Sequence, residues 1–585
     1  MSLQIEAFSN CNDAFIVWRS SEPIADCIGF ELLRIQNGQT TVVNNRVDFT
    51  SGQPDLQHPA SSALSPLRRY SWTDHGNQVG DKVSYQVVPV IASGNAKGSP
   101  REDLKSPMSN TVTITGQIDA GFECYFNRGI VLSQFMARFL GGDESPAALK
   151  KFKDSLNADP DGENKFRSFL GAALRDRLID LLKTAKSSGG QVYAALYELS
   201  DNLLIEELKA LGQRAHIILT NGTHKTKDDD ENATAAGELK NCDLHRRMLP
   251  PKQLGHNKFA VIADGQGKPL MVWSGSTNWT PTGLCTQMNN GILVKDATVG
   301  QIYLDHWTKL KNAGDATPPA LLADDDKAKP ATVGKTPVDV WFARTQKTPE
   351  MNAVCDLVAA AKEGVLFLMF EPGNSPIENA ILKVKNDRPD LFVKGVISTM
   401  NSTDQTKGSV TLVQRGNMKI PPLEVVQPAG VDNSVTGWAV EVSKQAFLSN
   451  IGFAIVHSKV AVIDPNGDHP IVVTGSHNFS LSASSNNDEN LIIIKDNPAL
   501  ARAYAVNIQS VYDHYEFRAV AKLMESEGKS VVTVMKDPKS WQAAWFTADK
   551  KLELDFWLGA AKADASAATG STHKAHKNAS AGPSH

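Results

Sequence analysis

One segment of this 585-residue chain occurs twice, and that repetition constrains the fold more than any other feature. The first copy reads His256-Asn257-Lys258-Phe259-Ala260-Val261-Ile262, then Ser274-Gly275-Ser276-Thr277-Asn278, then Asn290-Gly291-Ile292-Leu293-Val294-Lys295-Asp296. The second reads His457-Ser458-Lys459-Val460-Ala461-Val462-Ile463-Asp464, then Thr474-Gly475-Ser476-His477-Asn478, then Asn490-Leu491-Ile492-Ile493-Ile494-Lys495-Asp496. The register from Gly275 to Asp296 is kept from Gly475 to Asp496, and a single residue was gained or lost before it. Asp305-His306-Trp307 and Asp513-His514-Tyr515 extend the echo. Such self-similarity is the mark of duplication, so the chain holds two versions of one structural unit.

Each copy reads as strand, turn, strand. Residues two apart on a strand face the same side, so His256 and Lys258 present their heads together, as do His457 and Lys459. The turns Asp264-Gly265-Gln266-Gly267 and Pro465-Asn466-Gly467-Asp468 bring Gly-Ser-x-Asn back beside each pair. Lys and Asn donors suit the non-bridging oxygens of a phosphodiester, and the hydroxyls of Ser276 and Ser476 support them either by joining that grip or by stabilising the turn. One neutral imidazole can attack phosphorus while a protonated one gives its proton to the leaving oxygen. In-line displacement needs one imidazole from each side. The two copies are therefore expected to form one site about a pseudo-two-fold axis.

Around the repeat, strand and helix patterns alternate. Leu174 to Ala185 is an amphipathic helix, followed by the strand 191–196, a helix over 203–211 and the strand 215–219. The second half repeats this grammar with a helix from Met351, a strand over 364–370, a helix over 377–385 and a strand over 391–397. This alternation predicts mixed, mostly parallel sheets with helices on both faces. The expected domains are a β-sandwich over 1–116, α/β halves over 117–312 and 338–525, and a linker over 313–337. An aromatic segment over 526–562 and a disordered tail over 563–585 follow. Residues 224–240 form a polar insertion expected to be a mobile loop. Trp541, Trp545, Phe546 and Trp557 are expected to pack against the second half, with contact to a lipid surface as the alternative.

The net charge of −4 argues against a protein that coats nucleic acid, without excluding a local basic cleft. No apolar run is long enough to cross a bilayer. Met1 to Ser20 lack a basic start followed by an apolar run, so the expectation is a cytoplasmic protein, or one exported without a conventional signal peptide. The six cysteines are scattered and read as free thiols, with a Cys11–Cys27 bridge as the alternative. Neither a metal site nor a cofactor is expected.

His-x-Lys, four residues, Asp, then Gly-Ser-x-Asn is the signature of the phospholipase D superfamily, and His457 to Asn478 resembles it throughout. Two copies in one chain look like the two-domain members, over roughly residues 120–525. The resemblance implies a metal-independent phosphodiesterase that works through a covalent phosphohistidine, resolved by water or an alcohol. By analogy His256 is the nucleophile and His457 the general acid, while Lys258, Lys459, Asn278 and Asn478 grip the phosphate. Asp464 and Glu489 would support the site; similar enzymes use a carboxylate at the place of Glu489 to orient a histidine, where the first copy has Asn289. The first copy departs by carrying Ala263 where Asp is expected, with Asp264 one residue later; a bulge could restore its position.

Strand spacing, Trp18 and Tyr85 make residues 1–116 resemble a fibronectin type III domain, with Tyr85 a candidate tyrosine corner; by fold analogy the resemblance implies a role for this sandwich in membrane or partner contact. His216 and His306 read as structural histidines. His477, Arg128, Arg344 and Glu371 are weaker candidates for the cleft. The favoured substrate is a phospholipid, acted on by a monomer. The alternatives are a nuclease of the same superfamily and a binding protein with a reduced catalytic half.

Overall fold

A computed structural model describes residues 3–45, 60–93, 97–129, 151, 154–157, 165–224, 226, 228–370, 372–373, 375–397, 424–426, 456–526 and 541–570. In the N-terminal region, strands Leu3–Ser9, Ala14–Ser20 and Ser71–Asp74 make one antiparallel sheet. Gln39–Val42, Cys27–Gln36, Lys82–Ser93 and Val112–Thr113 make the larger part of a second. Trp18, Phe30 and Tyr85 are fully buried among them. The Tyr85 hydroxyl donates to Asp74 Oδ2 at 3.0 Å and accepts from Asn77 Nδ2 at 3.2 Å, so the ring ties its strand to the preceding corner through side chains. Cys11 and Cys27 are both free thiols, so the alternative bridge is not formed.

The duplicated halves each build one sheet. In the first, the strands run Phe122–Phe126, Asn290–Val294, Pro269–Gly275, Lys258–Ala263, Gln191–Leu196, Ala215–Thr220, Asp243–Arg247 across the sheet. The second repeats this order with Thr336–Ala343, Glu489–Lys495, Ile471–Gly475, Val460–Ile463, Gly364–Met369, Phe392–Ile397 and Glu424–Val426, and adds Lys329–Val333 at its edge. The sheets are mixed, but the expectation of mostly parallel pairing fails. Among the described residues only the last two pairings of each sheet are parallel; the rest are antiparallel. The reason is local: the short turns that join the motif strands can only make antiparallel neighbours, whereas parallel pairs need the helical crossovers found elsewhere in each half.

Three further expectations are corrected. The expected linker 313–337 carries helix Pro319–Asp325 and the edge strand Lys329–Val333, because Pro318 and Pro319 sit at a helix start and Pro330 on an edge strand, where the missing N–H is tolerated. The insertion over 224–240 contains helix Ala233–Glu238, and buried Asn232 anchors it by donating to the carbonyls of Tyr197 and Thr220 at 2.7 and 2.8 Å. The C-terminal aromatics do not pack on the second half alone. Trp541 lies against Phe30 and Tyr70, Trp545 and Phe546 against Tyr70, and Trp557 against Phe8 and Phe15, all in the N-terminal region. Phe556 stacks on Phe392 of the second sheet, and Glu553 accepts from Lys394 at 2.7 Å, so this segment clamps the two regions together. Its helix Ala548–Gly570 runs past the expected start of the tail, and 571–585 lie outside the described residues. Among the described residues no helix is long and apolar enough to cross a membrane.

Candidate active site

The two His-x-Lys segments enter the central strands Lys258–Ala263 and Val460–Ile463, and each leans on the other copy. The His457 amide donates to the Met288 carbonyl at 3.0 Å, and the Asp488 amide donates to the Leu254 carbonyl at 2.8 Å. The side chains cross in the same way. His256 Nδ1 lies 2.8 Å from Glu489 Oε2, and His457 Nδ1 lies 2.8 Å from Asn289 Oδ1. Both partners present acceptor oxygens, so each ring carries its proton on Nδ1 and turns Nε2 away as the reactive nitrogen.

The Gly-Ser-x-Asn turns hold these partners rather than presenting free hydroxyls. Ser276 Oγ donates to Asn289 Oδ1 at 2.7 Å and accepts from the Asn290 amide; Ser476 Oγ donates to Glu489 Oε2 at 2.7 Å and accepts from the Asn490 amide. Gly275 and Gly475 have φ of +138° and +144°, and a Cβ there would lie 2.4 and 2.3 Å from the carbonyl oxygens of Asn290 and Asn490. Glycine is thus demanded by conformation and by space. A family model described as "Cardiolipin synthase, PLD-like domain" matches residues 178–310 and 354–512, one region on each half. The chain belongs to the phospholipase D-like family.

Similar solved structures include polyphosphate kinase from Porphyromonas gingivalis, 13% identical with a TM-score of 0.38 over 57% of this chain and 45% of that one. Phosphatidylserine synthase from Haemophilus influenzae is 11% identical, with a TM-score of 0.40 over 59% of this chain and 85% of that one. Yeast tyrosyl-DNA phosphodiesterase is 13% identical, with a TM-score of 0.31 over 55% and 88%. The chain spans less than half the length of the kinase. A comparison with curated proteins gives no match.

In this phospholipase D-like site both imidazoles and both lysines are buried. Burial pushes His256 down to about 4, against the opposing pull of Glu489. Burial also holds His457 well below the usual imidazole range, with Lys459, Lys258 and His256 adding to the effect. Both rings are therefore neutral at pH 7 before substrate binds. Burial lowers Lys258 to about 7, with Glu489 and Glu198 opposing. Glu489 is held below the usual carboxyl range although burial opposes it, because His256 lies beside it. Lys258 Nζ donates to the His256 carbonyl at 2.7 Å and sits 4.8 Å from the Tyr197 ring centroid. Lys459 does the same with the His457 carbonyl and lies 4.7 Å from the Phe370 ring centroid. Each cation rests on an aromatic face, which supports a charge withdrawn from water.

Asn278 Nδ2 donates to Glu198 Oε2 at 2.7 Å, while its Oδ1 and that of Asn478 have no hydrogen-bond partner among the described residues. Asp464 sits outside this cluster: its carboxylate accepts from the amides of Lys362, Glu363 and Gly364, pinning the strand end. The first copy does contain a register shift between Ile262 and Ala263, yet Asp264 binds the amides of its own turn, at Gln266 and Lys268. The bulge supplies the extra residue without restoring the brace.

His477 turns from the site, its Nε2 3.1 Å from Ser484 Oγ and its Nδ1 accepting from the Phe479 amide at 3.0 Å. Arg344 is buried against Asp488, Gln253 and Thr317 rather than facing a cleft. Glu371 lies outside the described residues. Sequence reasoning missed Glu198, Tyr197 and Phe370. They follow strands whose period marks a buried face, but nothing local says that this face meets a lysine. Among the described residues no group of three or more His, Cys, Asp or Glu could hold a metal ion.

Proposed function

We propose that this phospholipase D-like chain is a phosphodiesterase in which His256 attacks phosphorus and His457 serves as acid and then base. The supporting observation is the exchange of partners between copies: His256 is held by a carboxylate and His457 by an amide. A carboxylate on Nδ1 stabilises positive charge on the ring that forms the bond to phosphorus, so Glu489 favours His256 as nucleophile. His256 Nε2 bonds to phosphorus, the bond to the leaving oxygen breaks, and His457, which takes a solvent proton on Nε2 when the anionic diester binds, delivers that proton to the leaving oxygen. Water or an alcohol then gives its proton to His457 and displaces His256. Lys258, Lys459, Asn278 and Asn478 neutralise the non-bridging oxygens; Ser276 and Ser476 hold Asn289 and Glu489 in place. The buried lysines bring concentrated positive charge to a pocket otherwise neutral in its imidazoles, which suits a monoanionic diester.

A phospholipid is the favoured substrate, with the fibronectin type III-like region as the surface that meets lipid or partner. The test is turnover of phosphatidylcholine, single-stranded DNA and duplex DNA, side by side in excess EDTA. Headgroup release from the lipid supports the reading. Cleavage of DNA but not lipid replaces it with the nuclease reading, and loss of all activity in EDTA overturns the metal-independent mechanism.

A further inference from the structure

The duplication allows the two halves to be compared position by position. Phe126 pairs with Asn290 and Phe342 with Asn490, so Arg128 stands in the first half where Arg344 stands in the second. Arg344 Nε lies 3.3 Å from Asp488 Oδ1, and Arg247 Nε donates to the other oxygen of that carboxylate at 2.7 Å. The residue equivalent to Asp488 is Met288. Arg128 therefore keeps the guanidinium of the second half's ion pair without the carboxylate. Its Nη2 reaches the Asn12 carbonyl at 3.4 Å, its charge lies 5.2 Å from the Phe169 ring centroid, and its buried Nε has no hydrogen-bond partner among the described residues.

A cavity of about 40 Å³ opens beside this side chain, lined by Arg128, Met288, Asn289 and Ser458 and closed from the N-terminal region by Asn12 and His75. The one carboxylate on its wall, Asp13, is already bonded by His75 Nδ1 at 2.7 Å. The amides of Asn12, Asn127 and Asn289 and the Ser458 hydroxyl already donate to backbone carbonyls, so what the lining offers a ligand is the Arg128 guanidinium with the Asn507 amide and the Ser510 hydroxyl, the donor set of an oxyanion site. We propose that this cavity binds a small carboxylate or phosphate anion on Arg128, in the place that the Asp488 carboxylate fills in the other half. The site lies at the junction of the N-terminal region and both halves, so its ligand cements three parts of the chain. The inference rests on the repeat and the cavity and is independent of the hydrolytic reading.

The test uses the full chain and follows the thermal midpoint against acetate, and separately against inorganic phosphate, at constant ionic strength. A ligand that binds only the folded state raises the midpoint with its concentration. Both anions are expected to raise it saturably in the wild type and in the Lys258→Met/Lys459→Met double variant, which lacks the phosphate grip of the candidate active site. The response should vanish in Arg128→Met. Met288→Asp should raise the midpoint without added anion and remove the response, by supplying the missing carboxylate internally. If Met288→Asp does not fold, Arg128→Lys decides instead, with a weakened response expected from loss of the planar fork. No response in the wild type, an undiminished one in Arg128→Met, or a response lost in the double lysine variant overturns the proposal.

Discussion

His256 and Glu489 share a 2.8 Å contact across 233 positions of sequence, and so the first copy of the motif is oriented by a residue of the second. The reciprocal contact, His457 to Asn289, is also 2.8 Å but ends on an amide. Two copies with the same strand order therefore form a site whose two imidazoles are chemically different.

The polarity of the site can be read from trapping. His256→Ala and His457→Ala are each expected to lower turnover by at least about 10⁴-fold while the fold survives. With a p-nitrophenyl phosphodiester, whose leaving group needs no proton, His457→Ala should still accumulate phosphate on His256. Label found on His457 in the His256→Ala protein would reverse the assignment.

Replacing Glu489 by Gln keeps the shape of the contact and removes its charge. The expected loss in kcat is about 10²–10⁴-fold, by analogy with an orienting aspartate made neutral. Asn289→Asp should do the opposite to His457, making it more basic and moving the alkaline limb of the rate profile upward. An unchanged profile in Asn289→Asp would separate that residue from proton transfer.

Acidic conditions should favour the free enzyme. Catalysis needs His256 neutral and His457 charged; His256 titrates at about 4, and His457 lies well below the ordinary imidazole value. As pH rises above both, the competent form is lost, and kcat/KM falls about tenfold per unit. Lys258, lowered to about 7 by burial, loses its charge in the same direction. A kcat/KM profile rising from pH 6 to 8 would contradict this.

The glycine of Gly-Ser-x-Asn should not tolerate a side chain. Gly475→Ala places a Cβ 2.3 Å from the Asn490 carbonyl oxygen at a φ of +144°, which must push Ser476 off Glu489. Expected are a stability loss of about 1–3 kcal/mol in denaturant melts and a fall in kcat resembling that of Glu489→Gln. Wild-type rates with lowered stability would confine the glycine to a folding role.

Trp557, fully buried against Phe8 and Phe15, tests the C-terminal clamp. Trp557→Ala should cost about 3–5 kcal/mol, through the lost apolar burial and the cavity left behind. Unfolding monitored separately in the N-terminal region and the halves should then lose its coincidence.

Much of the candidate site was legible in the chain alone. The duplication, the placing of His and Lys on one strand face, and the turn that returns Asn278 and Asn478 all follow from residue order, because period two and turn chemistry are local. The parallel character assigned to the sheets was wrong for an equally local reason: alternating helices were given more weight than the short turns beside the motif. Glu198, Tyr197 and Phe370 could not be found from sequence, since a residue after a buried strand gives no sign of which cation it will meet. Sequence also could not decide that Glu489 would brace His256, that Asp264 would serve only its own turn, or that the C-terminal tryptophans would seal the N-terminal sheets. Those outcomes depend on which faces close on one another across hundreds of residues, and only packing of the whole chain selects among partners that are locally equivalent.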